Sequence, residues 1–189
     1  MSTDRAVATP RLVLLALDAR TVELMLAGDS VAAGERLGVV LPPDIGRTSE
    51  GLLTIRLNDL RTRPEAEPWL LRIIADRRTP RRMVGFVGFH GPPDPEGRAE
   101  VGYEILPEYR RRGIALEATR GLLEWARGKG VRTFVASVRP DNAASQGLVE
   151  RLGFQRAGSR WNPIDETELL FELPAHRLPA WELPPRGAG

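Results

Sequence analysis

The sequence changes its periodicity within residues 98–129, and this change restricts the possible folds more than any other feature of the chain. Polar and apolar residues alternate from residue 100 to residue 105, as they do in a half-buried strand. After Pro107 the apolar spacing becomes that of a helix, with one face formed by Ala115, Ala118, Leu122 and Ala126. A further apolar run at 133–138 follows the helix. This order predicts a crossover between parallel strands in a mixed α/β layer.

Other segments predict the rest of that layer. Apolar runs indicate strands at 11–17, 69–75, 83–89, 155–161 and 166–172, and periodic segments indicate helices at 21–27, 30–37, 49–63 and 143–152. Asp18 is placed to cap the first helix, and Gly102 to mark a bulge. The fold class is therefore α/β (α+β), with one domain at 9–173. We expect a flexible N-terminus at 1–8 and a Pro-rich tail at 174–189 that is anchored by Leu178, Trp181 and Leu183.

Composition excludes several classes of function. The chain has no Cys, so it offers no disulfide, thiolate metal site or thiol nucleophile, and we predict no metal site. No stretch approaches the ~18 apolar residues of a membrane span, and there is no signal peptide, so we expect a cytoplasmic protein without membrane contact. The formal net charge is +2, which gives no reason to expect general nucleic-acid binding.

A cationic turn, Arg110-Arg111-Arg112-Gly113-Ile114-Ala115, lies between the predicted strand and helix. Its glycine allows the backbone to approach a ligand closely, and the first amides of the helix lack intrahelical partners. These amides, the positive end of the helix dipole and the arginine side chains favour a pyrophosphate group. The alternative is a solvated, positively charged loop.

Three motifs in the same order resemble the GNAT superfamily of N-acetyltransferases. Arg110, Gly113 and Ala115 match the signature (Gln/Arg)-x-x-Gly-x-(Gly/Ala). Residues 100–109 resemble the strand and turn that lead into this signature, and residues 142–154 resemble the second cofactor motif. The opening Thr-Pro-Arg-Leu-Val-Leu at 9–14 is similar to that of the RimJ/RimL type, the ribosomal-protein branch. The resemblance covers roughly residues 9–173.

The resemblance implies a GNAT fold and a cofactor. The sheet would be mixed and mostly antiparallel, with six to seven strands flanked by helices, and the central strands at 100–105 and 133–138 would splay apart. Acetyl-CoA (coenzyme A) would place its pantetheine arm in this cleft and its pyrophosphate on Arg110, Arg111, Arg112, Gly113, Ile114 and Ala115. Some of the arginine side chains would instead face solvent or reach the 3'-phosphate.

Four further residues are assigned to the cofactor by the same resemblance. Backbone groups of Ile105 and Leu106 would pair with the pantetheine amides. Asn142 would be a helix cap, a cofactor contact or both. Ser145 would be a cofactor contact or an ordinary polar helix residue.

Acetyl transfer to an amine requires a neutral amine and a proton source for the leaving thiolate. By resemblance, Glu100 is the candidate base, and burial would raise its pKa toward neutrality. The alternative is a structural carboxylate that pairs with an arginine. Glu104 is the reserve candidate, and His90 could act only if its loop folds inward. Many family members have a tyrosine as general acid where this chain has Val149, so the thiolate would leave unassisted or be protonated through water.

We therefore expect an acetyl-CoA-dependent N-acetyltransferase that acts by direct attack of a primary amine on the bound thioester. The alternative is a non-catalytic acyl-CoA-binding module of GNAT fold. The acceptor would be a peptide N-terminus or a small molecule, and the protein a monomer or homodimer. An acidic groove between residues 20–66 and the sheet would favour polycationic amines, whereas an open groove would favour a peptide.

Overall fold

A computed structural model describes residues 4–162 and 166–179, and eight strands within these residues form one open sheet. They are β1 (Ala6–Ala8), β2 (Leu12–Ala16), β3 (Leu71–Asp76), β4 (Met83–Phe89), β5 (Arg98–Ile105), β6 (Thr133–Val138), β7 (Gln155–Asn162) and β8 (Glu166–Pro174). Their order across the sheet is β1-β2-β3-β4-β5-β6-β8-β7. All neighbours are antiparallel except β5 and β6, which are parallel and joined by the predicted crossover helix.

The helices lie in two groups. Between β2 and β3 come α1 (Ala19–Leu26), α2 (Ser30–Leu37), α3 (Ile45–Thr48) and α4 (Glu50–Thr62). The crossover helix is α5 (Ile114–Gly128), and α6 (Ala143–Arg151) follows β6. Asp18 caps α1 as predicted, because its carboxylate accepts the Thr21 N–H at 2.8 Å. No helix in the described part of the chain is long and apolar enough to cross a bilayer.

The two groups of helices cover opposite faces of the sheet. Alternate residues of β2 separate accordingly, since Leu12 and Leu14 pack in the cluster with α5 and α6, and Val13 and Leu15 in the cluster with α1 and α4. On α5 the fully buried residues include Ala118, Leu122 and Ala126 of the predicted face, together with Thr119 and Leu123. Each buried leucine-sized side chain contributes about 2 kcal/mol to the free energy of unfolding. A sheet buried on both faces explains why β2 and β4 are wholly apolar.

The central strands β5 and β6 diverge, as the resemblance implied. They pair only from Arg98 and Thr133 to Glu100 and Val135. Beyond Glu100, β5 pairs with β4 alone, while the rest of β6 pairs with β8. The divergence leaves one edge of β5 without a neighbouring strand.

Several sequence-based expectations need correction. The sheet has eight strands in the described residues, because Ala6–Ala8 pairs with β2 where a flexible N-terminus was expected. The third predicted helix is confirmed as α4, but the short helix α3 before it was not predicted. The pairing of β4 with β5 is regular through Gly102, so the expected bulge there is wrong. In the tail, Leu178 is buried as expected, whereas Trp181 and Leu183 lie outside the described residues.

Candidate active site

A cavity of 710 Å³ lies beside the unpaired edge of β5, between the N-terminal ends of α5 and α6. The predicted site residues that line it are Glu104, Ile105, Arg110, Arg111, Gly113, Ile114, Ala115, Asn142 and Ser145. Three predicted site residues do not line it: Glu100, Leu106 and Arg112. The cavity therefore brings together the turn before α5 and the start of α6, which are separated by a whole helix and strand in the sequence.

The turn before α5 presents free backbone amides to this cavity. Arg111 and Gly113 both have left-handed backbones, with φ of 58° and 72°. The Glu117 N–H donates to the Gly113 carbonyl at 3.1 Å, so the three helical residues before Glu117 have no intrahelical acceptor for their N–H groups. Amides arranged in this way form a concave surface that suits an anion.

The three arginines of the turn have different neighbours. The Arg110 Nε donates to the Ile105 carbonyl at 2.9 Å, which holds this side chain at the end of β5. The Arg112 guanidinium lies over the Tyr109 ring, 5.6 Å from its centroid. Arg111 is exposed and lines the cavity, as does Arg151 from the last turn of α6. Arg110, Arg111 and Arg151 are thus the described arginines that lie at the cavity wall.

Alternate backbone groups of β5 face the cleft. The Leu106 N–H donates to the Val84 carbonyl at 3.0 Å, and the His90 N–H donates to the Glu100 carbonyl at 2.9 Å. In an antiparallel ladder the residues between such pairs direct their N–H and C=O groups away from the partner strand, so Tyr103 and Ile105 direct theirs to the cleft. The expectation for Leu106 is wrong, because its N–H bonds to β4 and its carbonyl accepts the Tyr109 N–H at 2.9 Å.

The start of α6 forms the opposite wall. The Asn142 side chain caps this helix by accepting the Ser145 N–H at 3.0 Å, and both residues also line the cavity. Val149, one turn after Ser145, is only 1% exposed and packs in the core. Many family members have a tyrosine that acts as general acid at this position. In this chain the position holds an apolar side chain that does not line the cavity.

Tyr103 was not singled out by the sequence, yet the structure places this residue in the wall of the cavity. The hydroxyl is buried, and no described group forms a hydrogen bond of acceptable geometry with it. Burial raises the pKa of Tyr103, and the neighbouring Ser145 hydroxyl counteracts this rise in part. The phenol is consequently un-ionised at neutral pH and can donate a hydrogen bond.

Glu100 lies at the last position where β5 pairs with β6, and its side chain is on the sheet face opposite to that of Tyr103. Its carboxylate accepts the Ser137 hydroxyl at 2.6 Å and two N–H groups of Arg160, at 2.8 and 3.1 Å. Arg160 also donates to Glu168 at 2.9 Å. Glu100 therefore takes part in the arginine ion pair that was the alternative to a catalytic role.

The expected rise in the pKa of Glu100 is wrong in direction. Burial alone would raise this pKa, but the hydrogen bond from Ser137, the adjacent His90 and the Arg160 guanidinium together lower it. Glu100 is thus a carboxylate at neutral pH, and a weaker base than a carboxylate in apolar surroundings.

His90 and Glu104 occupy different positions around this carboxylate. The His90 Nδ1 lies 3.5 Å from Glu100. Its imidazole is half exposed, and desolvation, together with Arg56 and Arg160, lowers the pKa of His90 despite the opposing charge of Glu100. His90 is therefore neutral at pH 7. Glu104 is exposed and lines the cavity, four residues and about 13 Å along β5 from Glu100.

A family model for the acetyltransferase (GNAT) domain matches residues 11–155. The chain belongs to this GNAT family. An uncharacterized N-acetyltransferase of Bacillus subtilis, YoaA, is 37% identical over 84 residues, which are 44% of this chain and 48% of that protein. The L-methionine sulfoximine/L-methionine sulfone acetyltransferase of Pseudomonas aeruginosa is 36% identical over 62 residues, 33% of this chain and 36% of that protein. The matched regions thus span about half the length of these relatives or less.

Among solved GNAT structures, that of RimL, a ribosomal L7/L12 α-N-protein acetyltransferase in complex with coenzyme A, superimposes with a TM-score of 0.59. It is 17% identical and covers 89% of this chain and 97% of its own. This likeness establishes the GNAT fold of the chain. Acetyl-CoA is the acyl donor of GNAT acetyltransferases.

One anchoring contact of the GNAT domain was missed by the sequence analysis. The buried Glu117 of α5 accepts hydrogen bonds from the Thr9 hydroxyl and the Arg11 N–H, both at 2.7 Å, and from the Arg11 Nε at 2.5 Å. Arg11 also donates to the Arg112 carbonyl at 3.2 Å. The motif at residues 9–14, which carried only a resemblance, therefore holds the turn before α5, residues 110–113, which we call the phosphate turn for its predicted ligand. Two sequence features could have indicated this contact: a glutamate in the first turn of the predicted helix and an arginine in the motif at residues 9–14.

Proposed function

We propose that this protein transfers the acetyl group of acetyl-CoA to a primary amine by direct attack of the amine on the thioester. The observation that carries the proposal is the cavity that joins the free amides before α5 to the unpaired edge of β5. A pyrophosphate and an amide-containing arm are the two chemical groups that these surfaces suit. Acetyl-CoA contains both.

The cofactor would be held mainly by backbone groups. Amides at 111–116 would receive the pyrophosphate, with Arg110, Arg111 and Arg151 supplying positive charge at the cavity wall. The N–H of Ile105 would pair with the pantetheine arm, because its carbonyl is engaged by Arg110. Asn142 and Ser145 would contact the arm from α6.

The reacting end of the thioester would lie where β5 and β6 separate. We propose direct attack, because the absence of Cys removes the route through a cysteine-linked thioester intermediate. The amine must lose a proton as it attacks, and Glu100 is the carboxylate at this point of the sheet. We propose Glu100 as the group that receives this proton, with Glu104 as the alternative.

The acceptor class follows from the face that carries Glu100. Its described charges are mixed, since Arg56 and Arg160 accompany Glu100 and Glu168. This mixture lacks the acidic wall that would select a polycationic amine. It favours an acceptor with a single amine. The opening at residues 9–14, which resembles that of RimL, supports a place in the RimJ/RimL-like branch and therefore a peptide N-terminus as the acceptor. If the acceptor is a small molecule, the L-methionine sulfoximine acetyltransferase among the relatives favours an amino acid.

The test is thiol release from acetyl-CoA in the presence of an amine panel. The panel contains peptides with free N-termini, L-methionine sulfoximine and an aminoglycoside, and calorimetry measures coenzyme A and acetyl-CoA binding in parallel. We expect acetyl-CoA to bind and thiol to be released fastest with a peptide or amino acid. Binding without thiol release across the panel would favour an acyl-CoA-binding module, and absence of binding would reject the cofactor assignment.

A further inference from the structure

Many of the arginines of this chain meet at one end of the sheet. The start of β2 pairs with the end of β3, where Leu12 lies opposite Asp76. The start of β4 pairs with the end of β5, where Gly85 lies opposite Ile105. The hairpin turn between β3 and β4, at 77–82, therefore lies at the same end of the sheet as the residues before β2 and the phosphate turn after β5.

The charge of this end differs from that of the rest of the protein. Its segments 9–12, 76–82 and 104–117 contain eight arginines and four carboxylates, which gives them a formal charge of +4. The whole chain carries only +2, so the rest of the protein is net negative. The small net charge of the chain thus conceals a concentrated basic region.

Hydrogen bonds join the arginines of the three segments into one surface. The Arg77 N–H donates to the Arg11 carbonyl at 3.0 Å, and the Arg11 guanidinium donates to the Arg112 carbonyl at 3.2 Å. Arg110 and Arg111 belong to the cavity wall, where the proposed function places acetyl-CoA. The remaining arginines are exposed and do not line that cavity, and we call them the arginine surface: Arg11, Arg77, Arg78, Arg81, Arg82 and Arg112.

Most guanidinium groups of the arginine surface are not neutralised by a carboxylate. Glu117 pairs with Arg11, and Asp76 pairs with Arg78 at 2.8 Å. Within the described residues, the other four members form no ion pair: Arg77, Arg81, Arg82 and Arg112. The fork of N–H groups on a guanidinium matches the oxygen atoms of a phosphate. The arginine surface therefore suits a partner that carries several phosphate groups.

The composition of the two arginine runs, 77–82 and 110–112, favours a nucleic acid over an acidic protein. Short runs rich in arginine are typical of nucleic-acid-binding surfaces. A protein interface has an apolar core, whereas an interface with nucleic acid is more polar and more positively charged. Apart from Pro80, neither run contains an apolar residue. Exposed apolar side chains border the hairpin only on the side of α2, where Val31 and Val40 line a cavity of 570 Å³.

We propose that the arginine surface binds the phosphate backbone of a nucleic acid, independently of base sequence. Contacts to phosphates position a nucleic acid but carry no information about its bases. Each phosphate that an arginine neutralises releases counterions, so the affinity falls as salt is added. Because the arginine surface does not line the cavity beside β5, a nucleic acid and acetyl-CoA can be bound at the same time. The inference goes beyond acetyl transfer and does not depend on it.

Fluorescence anisotropy of a labelled DNA duplex and a single-stranded RNA, each about 20 nucleotides long, tests the proposal over a range of salt concentrations. For the duplex, the logarithm of the affinity should fall with the logarithm of the salt concentration with a slope of about −4 to −5, as expected for four to six phosphate contacts. The slope for the single strand should be shallower. In Arg81→Ser/Arg82→Ser the duplex slope should be smaller by about 2, and the affinity near 0.1 M salt about 10- to 100-fold lower. The affinity of this variant for acetyl-CoA should be unchanged.

Arg127→Ser/Arg156→Ser is the matched control, because it removes two exposed arginines from other surfaces, at the far end of α5 and on β7. It should bind both nucleic acids nearly as the wild type does. An equal loss of affinity in the two double variants would indicate an effect of net charge alone and overturn the proposal. Absence of binding to both nucleic acids near 0.1 M salt would overturn it as well.

Two further measurements exclude other binding modes. Saturating coenzyme A should leave nucleic-acid binding intact, whereas displacement would place the nucleic acid in the cavity beside β5 and contradict the proposal. Val31→Ser/Val40→Ser should bind both nucleic acids normally, and a loss of affinity would indicate an apolar contact of the kind expected for a protein partner. Failure of the wild type to bind coenzyme A would reject the proposed function without affecting this inference.

Discussion

Glu100 and Glu168 are two carboxylates on one guanidinium, and this arrangement allows catalysis to be separated from structure. Both pair with Arg160, and Glu100 also contacts Ser137 and His90. If Glu100 receives the proton of the amine, Glu100→Gln should retain acetyl-CoA affinity and lower turnover by about 100-fold, the usual effect of removing a general base. Steady-state thiol release and calorimetry measure the two quantities.

Glu168→Gln supplies the comparison for that variant. It removes the other partner of Arg160 while leaving the carboxylate next to His90. We expect its melting temperature to fall and its turnover to stay within a few-fold of the wild type. If Glu100→Gln behaves in the same way as Glu168→Gln, Glu100 is structural only, and Glu104→Gln becomes the variant in which turnover should fall.

Gly113 is the residue on which the geometry of the phosphate turn depends. Its φ of 72° is unfavourable for residues with a Cβ, by roughly 1–2 kcal/mol, whereas a Cβ placed there would make only an ordinary contact, 3.5 Å from the Arg11 guanidinium. Gly113→Val should therefore redirect the first amides of α5 and weaken acetyl-CoA binding at least 10-fold in calorimetry. Gly128→Ala, at the other end of α5 with open space around it, should bind normally. Unchanged affinity in folded Gly113→Val would exclude the turn as the pyrophosphate site.

At the scale of elements, the first turn of α5 is tied to the segment before β2 by Glu117. This buried carboxylate accepts three hydrogen bonds from Thr9 and Arg11, and Arg11 reaches the Arg112 carbonyl. Glu117→Gln would direct an amide N–H group at the Arg11 guanidinium, at a cost of about 1–3 kcal/mol. We expect a lower melting temperature and weaker acetyl-CoA binding together. Glu124→Gln, two turns further along α5, should change neither quantity, and a loss of stability without a loss of affinity would show that the tie does not position the turn.

The start of α1 gives the protein a pH-dependent contribution to stability. Burial alone would raise the pKa of Asp18, but hydrogen bonds from Thr21 and Arg36 outweigh it and lower this pKa to about 2, from 3.8. A carboxylate with a lowered pKa stabilises the fold above its unfolded-state pKa, and this contribution disappears as the pH falls through the folded-state value. Asp18→Asn should cost about 2 kcal/mol at pH 7. In urea unfolding, the difference from the wild type should shrink between about pH 5 and pH 2, and a difference that does not vary with pH would contradict the assignment.

Elements with a strong local signal were predictable from the sequence, and contacts between distant residues were not. The boundaries of α5 and β6 follow from Gly113, Gly130 and the apolar spacing, which are local features. β1 has only three residues and forms because β2 offers it a free edge. The pKa of Glu100 was predicted in the wrong direction because its hydrogen-bond donors Ser137 and Arg160 follow it by 37 and 60 residues, and no pattern in the sequence shows that they meet it.

At the scale of the whole molecule, the sheet consists of two parts that share few hydrogen bonds. The strands β1 to β5 pair continuously, and β6 to β8 do so as well. In the described residues, the strand pairing between the two parts consists of three residue pairs of β5 with β6. The cavity is lined by elements that follow β5 on one side and by α6, which belongs with the second part, on the other. A ligand bound there contacts both parts, so it should stabilise the complete fold. At 100 times its dissociation constant this stabilisation would be about 2.7 kcal/mol.

Hydrogen exchange can locate this stabilisation along β5. The N–H groups of Tyr103 and Ile105 face the cleft, whereas the Leu106 N–H is bonded to Val84 in the absence of ligand. Saturating acetyl-CoA should therefore slow exchange at 103 and 105 and in the turn at 111–116, well beyond any change at 106. Arm-free 3',5'-ADP retains the nucleotide end of the cofactor. It should slow exchange at the residues that bind the nucleotide, without slowing exchange at 103 or 105. Equal protection of 103, 105 and 106 would indicate uniform stiffening of the sheet and contradict an arm that pairs with the free edge of β5.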